Sequence, residues 1–466
     1  MNITFKKLAL FSLISSLSVS SYAAPILLGI GSLNGTDDLS GLTGTLESGV
    51  KANVLGGLGS GLAYAGNNTF IALPDRGPNA QPYSGGSAVD NTTSYIPRLQ
   101  TISMQLTASS NGLPFTVTPI LTSTTLLFNA TPLNYAVNGA PAQNDANHYY
   151  FSGRSDNFSG TGSTTPNNAR LDPEAIRVSN DGKSVFISDE YGPYVYQFDR
   201  ATGERIKTFA LPNELAINHL AATEGDEISG NTSGRTTNKG MEGLAITPDG
   251  KTLVGIMQAP LLQDTNKVVR IVTVDIATGE THQYAYQLTN GSGVSEIVAI
   301  NDHEFLIDER DGKGLGDNSN AAVKQLFRID LAGAQDITGL SGNLSAKAVT
   351  KTLALDVKNM LVSAGIAAQN IPAKIEGLAF GEDIVFNNQT LHTLWIANDN
   401  DFLSTITDSK HPQGFSNPNN FYVFGFSDAD LQNYVAQNIR ANVPEPAGAA
   451  LLLLGLIGVG ALRRKQ

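Results

Sequence analysis

The sequence predicts an all-β fold, a β-propeller of six or seven blades with short peripheral helices. The first observation is the range 170–205, where runs rich in β-branched and aromatic residues alternate with tight turns, as in half-buried strands. Between its first two runs, Asn180, Asp181 and Gly182 provide the positive φ angles of a tight hairpin. Similar units recur three times downstream, and a weaker copy without an acidic residue precedes them at Gly61. The 47 glycines and the low charged fraction of 15% also suit a turn-rich β protein.

The four stronger units share an acidic residue at the start of their first strand. These acids are Glu174, Glu242, Glu296 and Glu376. They lie roughly 55 to 80 residues apart, which exceeds the usual propeller period of about 40 to 50 residues. We therefore expect insertions between strands.

The chain divides into three predicted segments. Residues 1–23 read as a secretory signal peptide, with Lys6 and Lys7 before an apolar run and small residues at a cleavage site for signal peptidase. Residues 24–441 form the propeller domain, in which the opening strand at 25–32 is expected to close the ring by pairing with the last blade. Helices are expected at 356–366 and 428–440.

Residues 442–466 resemble the PEP-CTERM sorting signal of exosortase-bearing Gram-negative bacteria. A Pro-flanked marker at 443–446 precedes a transmembrane helix at 447–462 and a basic tail at 463–465. The resemblance implies recognition by an exosortase and export to the cell surface or extracellular matrix after transient inner-membrane anchoring. A plain C-terminal membrane anchor is the alternative.

Composition and motifs restrict the chemistry. A formal charge of −12 with 30 Lys and Arg argues against nucleic acid as a partner. The absence of cysteine excludes disulfides and thiolate metal sites. No nucleophile elbow, H-E-x-x-H or P-loop motif is present, and the six histidines show no ligand spacing. Carboxylates are therefore the only repeated chemical feature.

A propeller turns these distant carboxylates into neighbours, because equivalent strand ends surround one channel. The four glutamates are expected at one end of the channel and Asp75, Asp189, Asp308 and Asp399 at the other. Crowded carboxylates repel one another, and a divalent cation with oxygen ligands, calcium in particular, relieves that repulsion. The predicted metal ligands are Glu174, Asp189, Glu296, Asp308, Glu376 and Asp399. Alternatively, such acids accept hydrogen bonds from backbone amides of neighbouring blades and fix the ring without metal.

Two arginines complete the predicted site, since Arg76 and Arg310 each follow an acid at a strand exit. A guanidinium there can bind a phosphate oxygen bidentately, although a simple salt bridge is the alternative. The predicted catalytic residues are Asp75, Arg76, Glu242 and Arg310.

Several motifs agree in order with one family. The stretches DPEAIRV, KGMEGLAITPDGK, IEGLAF and LPDRGPN resemble the bacterial family described as having the esterase-like activity of phytase, over about residues 62–426. The resemblance implies a β-propeller that hydrolyses a small-molecule phosphate ester or other ester. The R-H-G-x-R-x-P motif of histidine acid phytases is absent.

The leading hypothesis is an exported, calcium-supported phosphoester hydrolase. One alternative is a non-catalytic matrix or ligand-binding propeller, with an exopolysaccharide as its partner. The other is a lactonase or ester hydrolase of the calcium-propeller type.

Overall fold

A computed structural model describes residues 24–80, 91–159, 165–221 and 224–440, which form a five-bladed β-propeller. The chain opens with β1 (Ile26–Leu33). The first blade contains β2 (Gly61–Tyr64), β3 (Thr69–Leu73), β4 (Arg98–Ala108) and β5 (Phe115–Leu126). A small two-stranded sheet follows, made of β6 (Phe128–Asn129) and β7 (Tyr149–Tyr150). The second blade contains β8 (Pro173–Val178), β9 (Ser184–Asp189), β10 (Tyr194–Asp199) and β11 (Arg205–Ala210).

Helix α1 (Glu224–Gly230) leads into the remaining blades. The third contains β12 (Met241–Ile246), β13 (Thr252–Met257), β14 (Val268–Asp275) and β15 (Thr281–Gln287). The fourth contains β16 (Gly293–Ala299), β17 (Glu304–Arg310), β18 (Lys324–Asp330) and β19 (Lys351–Asp356), followed by α2 (Val357–Ser363). The fifth is built from β20 (Lys374–Phe380), β21 (Ile384–Phe386), β22 (Gln389–Asp399), β25 (Asn419–Phe426) and β1, while β23 (Thr405–Ile406) pairs with β24 (Phe415–Ser416) outside it.

Five blades correct the predicted six or seven. The sequence contains five hairpin units, and each of them forms one blade. The remaining length lies in long connections between blades, such as 127–172 and 211–240, and these supply no further four-stranded sheet among the described residues. Each inner strand packs against the inner strand of the next blade, and β20 packs against β2, so the ring is closed.

The first and last strands of the domain close the ring together, as predicted. β1 pairs antiparallel with β25 and forms the outer edge of the fifth blade. Ser32 lies opposite Asn420, and its hydroxyl donates to the Asn420 side chain at 2.6 Å. The fifth blade therefore depends on both ends of the domain.

The helix prediction is half confirmed. Helix α2 lies within the predicted 356–366, and the Asp356 carboxylate caps it by accepting a hydrogen bond from Asn359 N at 2.8 Å. The prediction of a helix at 428–440 was wrong. This segment has turns followed by residues without regular secondary structure, and Asn433 adopts a positive φ of 64°. Its backbone bonds to the blades instead, with Val435 N donating to Ile300 O at 2.8 Å. We call residues 427–440 the C-terminal segment.

None of the helices in the described part of the chain has the length and apolar character needed to span a bilayer. The predicted signal peptide and sorting signal lie outside the described residues.

A buried ion pair crosses the channel between the inner strands. Arg177, on β8, donates to Leu62 O on β2 at 2.9 Å and to Ile297 O on β16 at 2.8 Å. Its guanidinium lies 3.1 Å from the Glu296 carboxylate, which accepts a hydrogen bond from Leu244 N on β12 at 2.9 Å. Four of the five inner strands are therefore tied together across the channel.

Candidate functional site

The predicted acids from both strands of each hairpin lie at the same end of the channel. Glu296 on β16 is directly opposite Asp308 on β17, and Pro173 is opposite Asp189. The prediction that glutamates and aspartates occupy opposite ends was wrong, because the start of one antiparallel strand faces the end of its partner. We call this end of the channel the acidic mouth.

A β-bulge explains how three of the glutamates reach the channel. Pairing between the first two strands of the blade is interrupted around Glu174, Glu242 and Glu376, each of which lies in the unpaired part of its inner strand. A bulge re-aims the side chain that it carries. In the fourth blade the irregularity falls at Ser295, and Glu296 resumes normal pairing.

Three buried carboxylates form the candidate metal-binding cluster of the described residues. One oxygen from each of Asp172, Glu174 and Glu190 lies within 4.8 Å of the others. We call these three residues the carboxylate cluster. Asp172 precedes β8 and Glu190 follows β9, and Glu190 N donates to Asp172 O at 2.8 Å, so the backbone fixes their spacing.

The members of the carboxylate cluster differ in their protein partners. Asp172 accepts hydrogen bonds at 3.1 Å from both the backbone N and the guanidinium of Arg76. Glu190 accepts one from Gly240 N at 2.8 Å. No group in the described ranges donates to the carboxylate of Glu174. Among the three, the carboxylate of Glu174 therefore has the fewest hydrogen-bond donors from the described residues.

Burial and mutual repulsion oppose ionisation of this site. Burial, followed by the nearby Glu242, raises the pKa of Glu174 well above its usual value. Burial, followed by Asp172, raises the pKa of Glu190 to about 7. Burial and then Glu190 raise the pKa of Glu242, whose Oε2 is buried and has no hydrogen-bond partner among the described residues. These carboxylates are therefore stabilised either by protonation or by a bound cation.

A polar cavity of about 200 Å³ adjoins the carboxylate cluster, with Arg76, Arg235 and Asn238 in its lining. The guanidinium of Arg76 donates to Asn238 and Asp172. Arg235 is buried and donates to Tyr191 O at 3.2 Å. The Nε atoms of both arginines are buried without a hydrogen-bond partner in the described ranges. Two guanidinium groups therefore line the cavity, together with the carboxylate of Glu227.

Ion pairs occupy three other predicted site residues. Arg310 binds Glu376 and lies 3.8 Å from Glu242. Asp399 lies 2.7 Å from Lys374, which also pairs with Asp401. For Arg310 the structure shows the simple salt bridge considered as an alternative. Glu376 and Asp399, predicted as metal ligands, are paired with Arg310 and Lys374.

Asp189, Glu296 and Asp308 lie outside the carboxylate cluster. Asp189 accepts hydrogen bonds at 3.1 Å from the backbone N of Asp172 and of Tyr191, both in its own blade. Glu296 pairs with Arg177 deeper in the channel. Asp308 is fully buried, neither of its carboxylate oxygens has a hydrogen-bond partner among the described residues, and burial raises its pKa to about 8.

Asp75 lies beside Arg76 near the carboxylate cluster. Gly77 N donates to its carboxylate at 2.9 Å. Burial, followed by repulsion from Asp399, raises the pKa of Asp75 well above its usual value.

The acidic mouth has more carboxylates than cations. Its described carboxylates include Asp75, Asp172, Glu174, Asp189, Glu190, Glu242, Asp308, Glu376, Asp399 and Asp401, and its cations include Arg76, Arg170, Arg235, Arg310 and Lys374. Calcium is bound in proteins by six to eight oxygen ligands at about 2.4 Å, so two ligands on opposite sides of one ion are about 4.8 Å apart. The carboxylate cluster, with its all-oxygen donors, fits such an ion.

Sequence reasoning missed Asp172, Glu190 and Arg235. Asp172 begins the DPEAIRV stretch and Glu190 directly follows Asp189. Both could therefore have been predicted from their positions in the hairpin unit. Arg235 lies in a polar insertion before β12, and no periodicity marks it.

Comparison with known proteins identifies the family. Residues 53–402 match the phytase-like family described as "Esterase-like activity of phytase". An uncharacterized secreted protein of Arthroderma benhamiae is 30% identical over 278 residues, which cover 50% of this chain and 51% of that protein. The chain thus spans about half the length of this relative.

Among solved structures, hydrazine synthase of Kuenenia stuttgartiensis aligns at 13% identity over 79% of this chain and 81% of that one, with a TM-score of 0.31. The aldose sugar dehydrogenase of Streptomyces coelicolor in its PQQ-bound form aligns at 10% identity over 84% and 83%, with a TM-score of 0.30. At these TM-scores neither likeness carries an argument. The family match covers well over half of the sequence, and the chain belongs to the phytase-like family described as having the esterase-like activity of phytase.

Proposed function

We propose that the protein is an exported phosphoester hydrolase whose acidic mouth uses a bound calcium ion. The observation that carries the proposal is the carboxylate cluster beside a cavity with two arginines. Arg76 and Arg235 both contribute to the lining of this cavity. A carboxylate site for a cation and a guanidinium site for an anion are the two requirements for holding a phosphate ester.

Each residue has a defined role in this proposal. Asp172, Glu174 and Glu190 would hold the ion, and the chemistry that it would supply is neutralisation of phosphate charge and acidification of a water molecule. Arg76 and Arg235 orient the phosphate through charge-assisted hydrogen bonds.

The proton transfers fall to two further carboxylates. Arg310, 3.8 Å away, favours the ionised form of Glu242, whose unpartnered oxygen accepts the proton of the attacking water as the new P–O bond forms. Asp75, protonated because of its raised pKa, donates a proton to the leaving alcohol as the ester P–O bond breaks. Arg310 supports Glu242 and Glu376 in place of the substrate contact predicted for it.

Turnover of p-nitrophenyl phosphate and p-nitrophenyl butyrate, with calcium or with a chelator, tests the proposal. We expect calcium-dependent release from the phosphate ester, and a loss of roughly tenfold or more in calcium affinity for Glu174→Gln. Glu280→Gln, which removes an exposed carboxylate, is the matched control and should behave as wild type.

Rates that are the same with chelator and in Glu174→Gln would contradict a metal-supported mechanism. Turnover of the butyrate ester alone would favour the carboxyl-ester alternative. Tight binding of an exopolysaccharide without turnover of either ester would favour the non-catalytic alternative.

Export is part of the proposal. It is supported by the predicted signal peptide at 1–23 and by the A. benhamiae relative, which is described as a secreted protein. The sorting signal at 442–466, with its exosortase processing and transient membrane anchoring, stays a prediction. Determining both termini of the mature protein by mass spectrometry tests these steps.

A further inference from the structure

A second cavity lies at the end of the channel opposite the acidic mouth. Its volume is about 300 Å³, and every blade contributes an apolar residue from the end of its inner strand. These residues are Ala63, Val178, Ile246, Ala299 and Ala379. We call this space the apolar cavity.

The C-terminal segment covers the apolar cavity. Tyr434, Val435 and Ile439 line it, and the segment is held in place by hydrogen bonds to the blades. Gln437 donates to Val178 O at 2.8 Å, in addition to the bond from Val435 N to the fourth blade. The cavity is thus bounded by all five blades and by a sixth wall from the end of the domain.

The Arg177–Glu296 pair separates this cavity from the acidic mouth. Arg177 lines the apolar cavity, and its Nε is buried without a hydrogen-bond partner among the described residues. Because this Nε has no accessible surface and the other two guanidinium nitrogens donate to backbone carbonyls, Arg177 offers a ligand no free donor.

Charge around the apolar cavity disfavours anions. Glu296 already neutralises Arg177, which is the only cationic side chain in the described lining. Glu382 and Asp383 also line the cavity, and Glu382 accepts a hydrogen bond from Tyr64 at 2.6 Å. The electrostatics therefore differ from those of the acidic mouth, where two arginines face a polar cavity.

We propose that the apolar cavity binds a small, uncharged and largely apolar molecule. A volume of about 300 Å³ and a mostly apolar lining are typical of small-molecule sites. The site is independent of the phosphoester chemistry proposed for the opposite end.

Ligand-observed NMR saturation transfer and titration calorimetry with the full mature protein test this inference. The probe is 2-octanone, and octanoate is a charged probe of similar length. We expect saturable binding of 2-octanone, unchanged by a calcium chelator, and binding of octanoate weaker by roughly tenfold or more, which corresponds to about 1.4 kcal/mol.

Two variants locate the site on different blades. Ala379→Leu and Ala299→Leu fill the cavity and should each weaken 2-octanone binding by roughly tenfold or more. Ala201→Leu, at an exposed turn, makes the same change outside the cavity and should bind as wild type. A cooperative thermal transition identifies the variants that fold, and either one is sufficient for the test.

Three results would overturn the inference. The first is that 2-octanone shows no saturable binding to the wild type. The second is that a folded cavity-filling variant binds 2-octanone with wild-type affinity, and the third is that octanoate binds as tightly as 2-octanone.

Discussion

The guanidinium of Arg177 lies 3.1 Å from the carboxylate of Glu296, and the pair divides the propeller channel into an acidic and an apolar half. Arg177 also donates to backbone carbonyls on its own and two other inner strands. We expect Arg177→Met to lower the free energy of unfolding by about 3–5 kcal/mol, because it leaves a buried carboxylate and several carbonyls without their partner. Glu296→Gln should cost less, since glutamine can still accept from Leu244 N. Urea unfolding curves measure both, and wild-type stability in Arg177→Met would contradict a structural role for the pair.

The stability of the calcium-free protein should fall as the pH rises. Buried Asp189 and Glu190 have pKa values of about 7 and Asp308 of about 8, all raised chiefly by burial. Because these groups ionise near pH 4 when unfolded, the folded state binds more protons between about pH 4 and pH 8. Each such group removes up to about 1.4 kcal/mol per pH unit in that window. Urea unfolding at about pH 5, 7 and 9 with chelator measures the slope. A stability that rises over this range would contradict the assignment, and added calcium should reduce the decline.

Asp308→Asn should stabilise the protein at alkaline pH. The wild-type carboxylate is fully buried, has no hydrogen-bond partner among the described residues and must ionise above about pH 8. Asparagine keeps the shape and removes the charge, so we expect a gain of about 1–3 kcal/mol at pH 9 and little change at pH 5. Asp302→Asn, at an exposed turn, is the control. An equal effect at both pH values would show that ionisation is not the cause.

Arg235→Met tests the anion site of the proposed hydrolase. Loss of one guanidinium should raise the KM for p-nitrophenyl phosphate by roughly tenfold or more, because a charge-assisted contact to the substrate is removed. Exposed Lys239 is the matched position, and Lys239→Met should leave KM unchanged. An unchanged KM in Arg235→Met, with calcium-dependent turnover retained, would remove Arg235 from the site without affecting the metal assignment.

An engineered disulfide can test ring closure directly, since the chain has no cysteine. Ser32 and Asn420 face each other across β1 and β25, and their side chains touch at 2.6 Å. We expect Ser32→Cys with Asn420→Cys to form a disulfide and to raise stability by about 2–4 kcal/mol. Thermal melts with and without reductant measure the gain. Failure to form the bond in the folded protein would contradict the pairing.

The sequence contained enough to predict the blade units and the strand that closes the ring. The blade number was overestimated because length was assigned to extra blades, whereas it lies in connections such as 127–172. The end of the channel reached by Asp308 was also predictable, since an antiparallel partner brings it next to Glu296.

It was harder to predict that three of the four glutamates lie in bulges whereas Glu296 is regularly paired. Glu174, Glu242 and Glu376 are followed by Ala175, Gly243 and Gly377, and Glu296 is followed by Ile297. A small residue there suits a bulge pressed against the next inner strand, where a Cβ on Gly243 would come within 2.9 Å of the Glu296 backbone. Arg235 could not be predicted, because only the tertiary path of its insertion brings it to the carboxylate cluster.

Pairing of the first strand with the last has a consequence for biogenesis. Residues 26–33 leave the ribosome before every other strand of the propeller. Their partner, β25, is complete only when residue 426 has been made. Contacts separated by nearly the whole domain form slowly. We therefore expect closure of the ring to be a late step of folding, before which the edge of β25 that pairs with β1 is exposed.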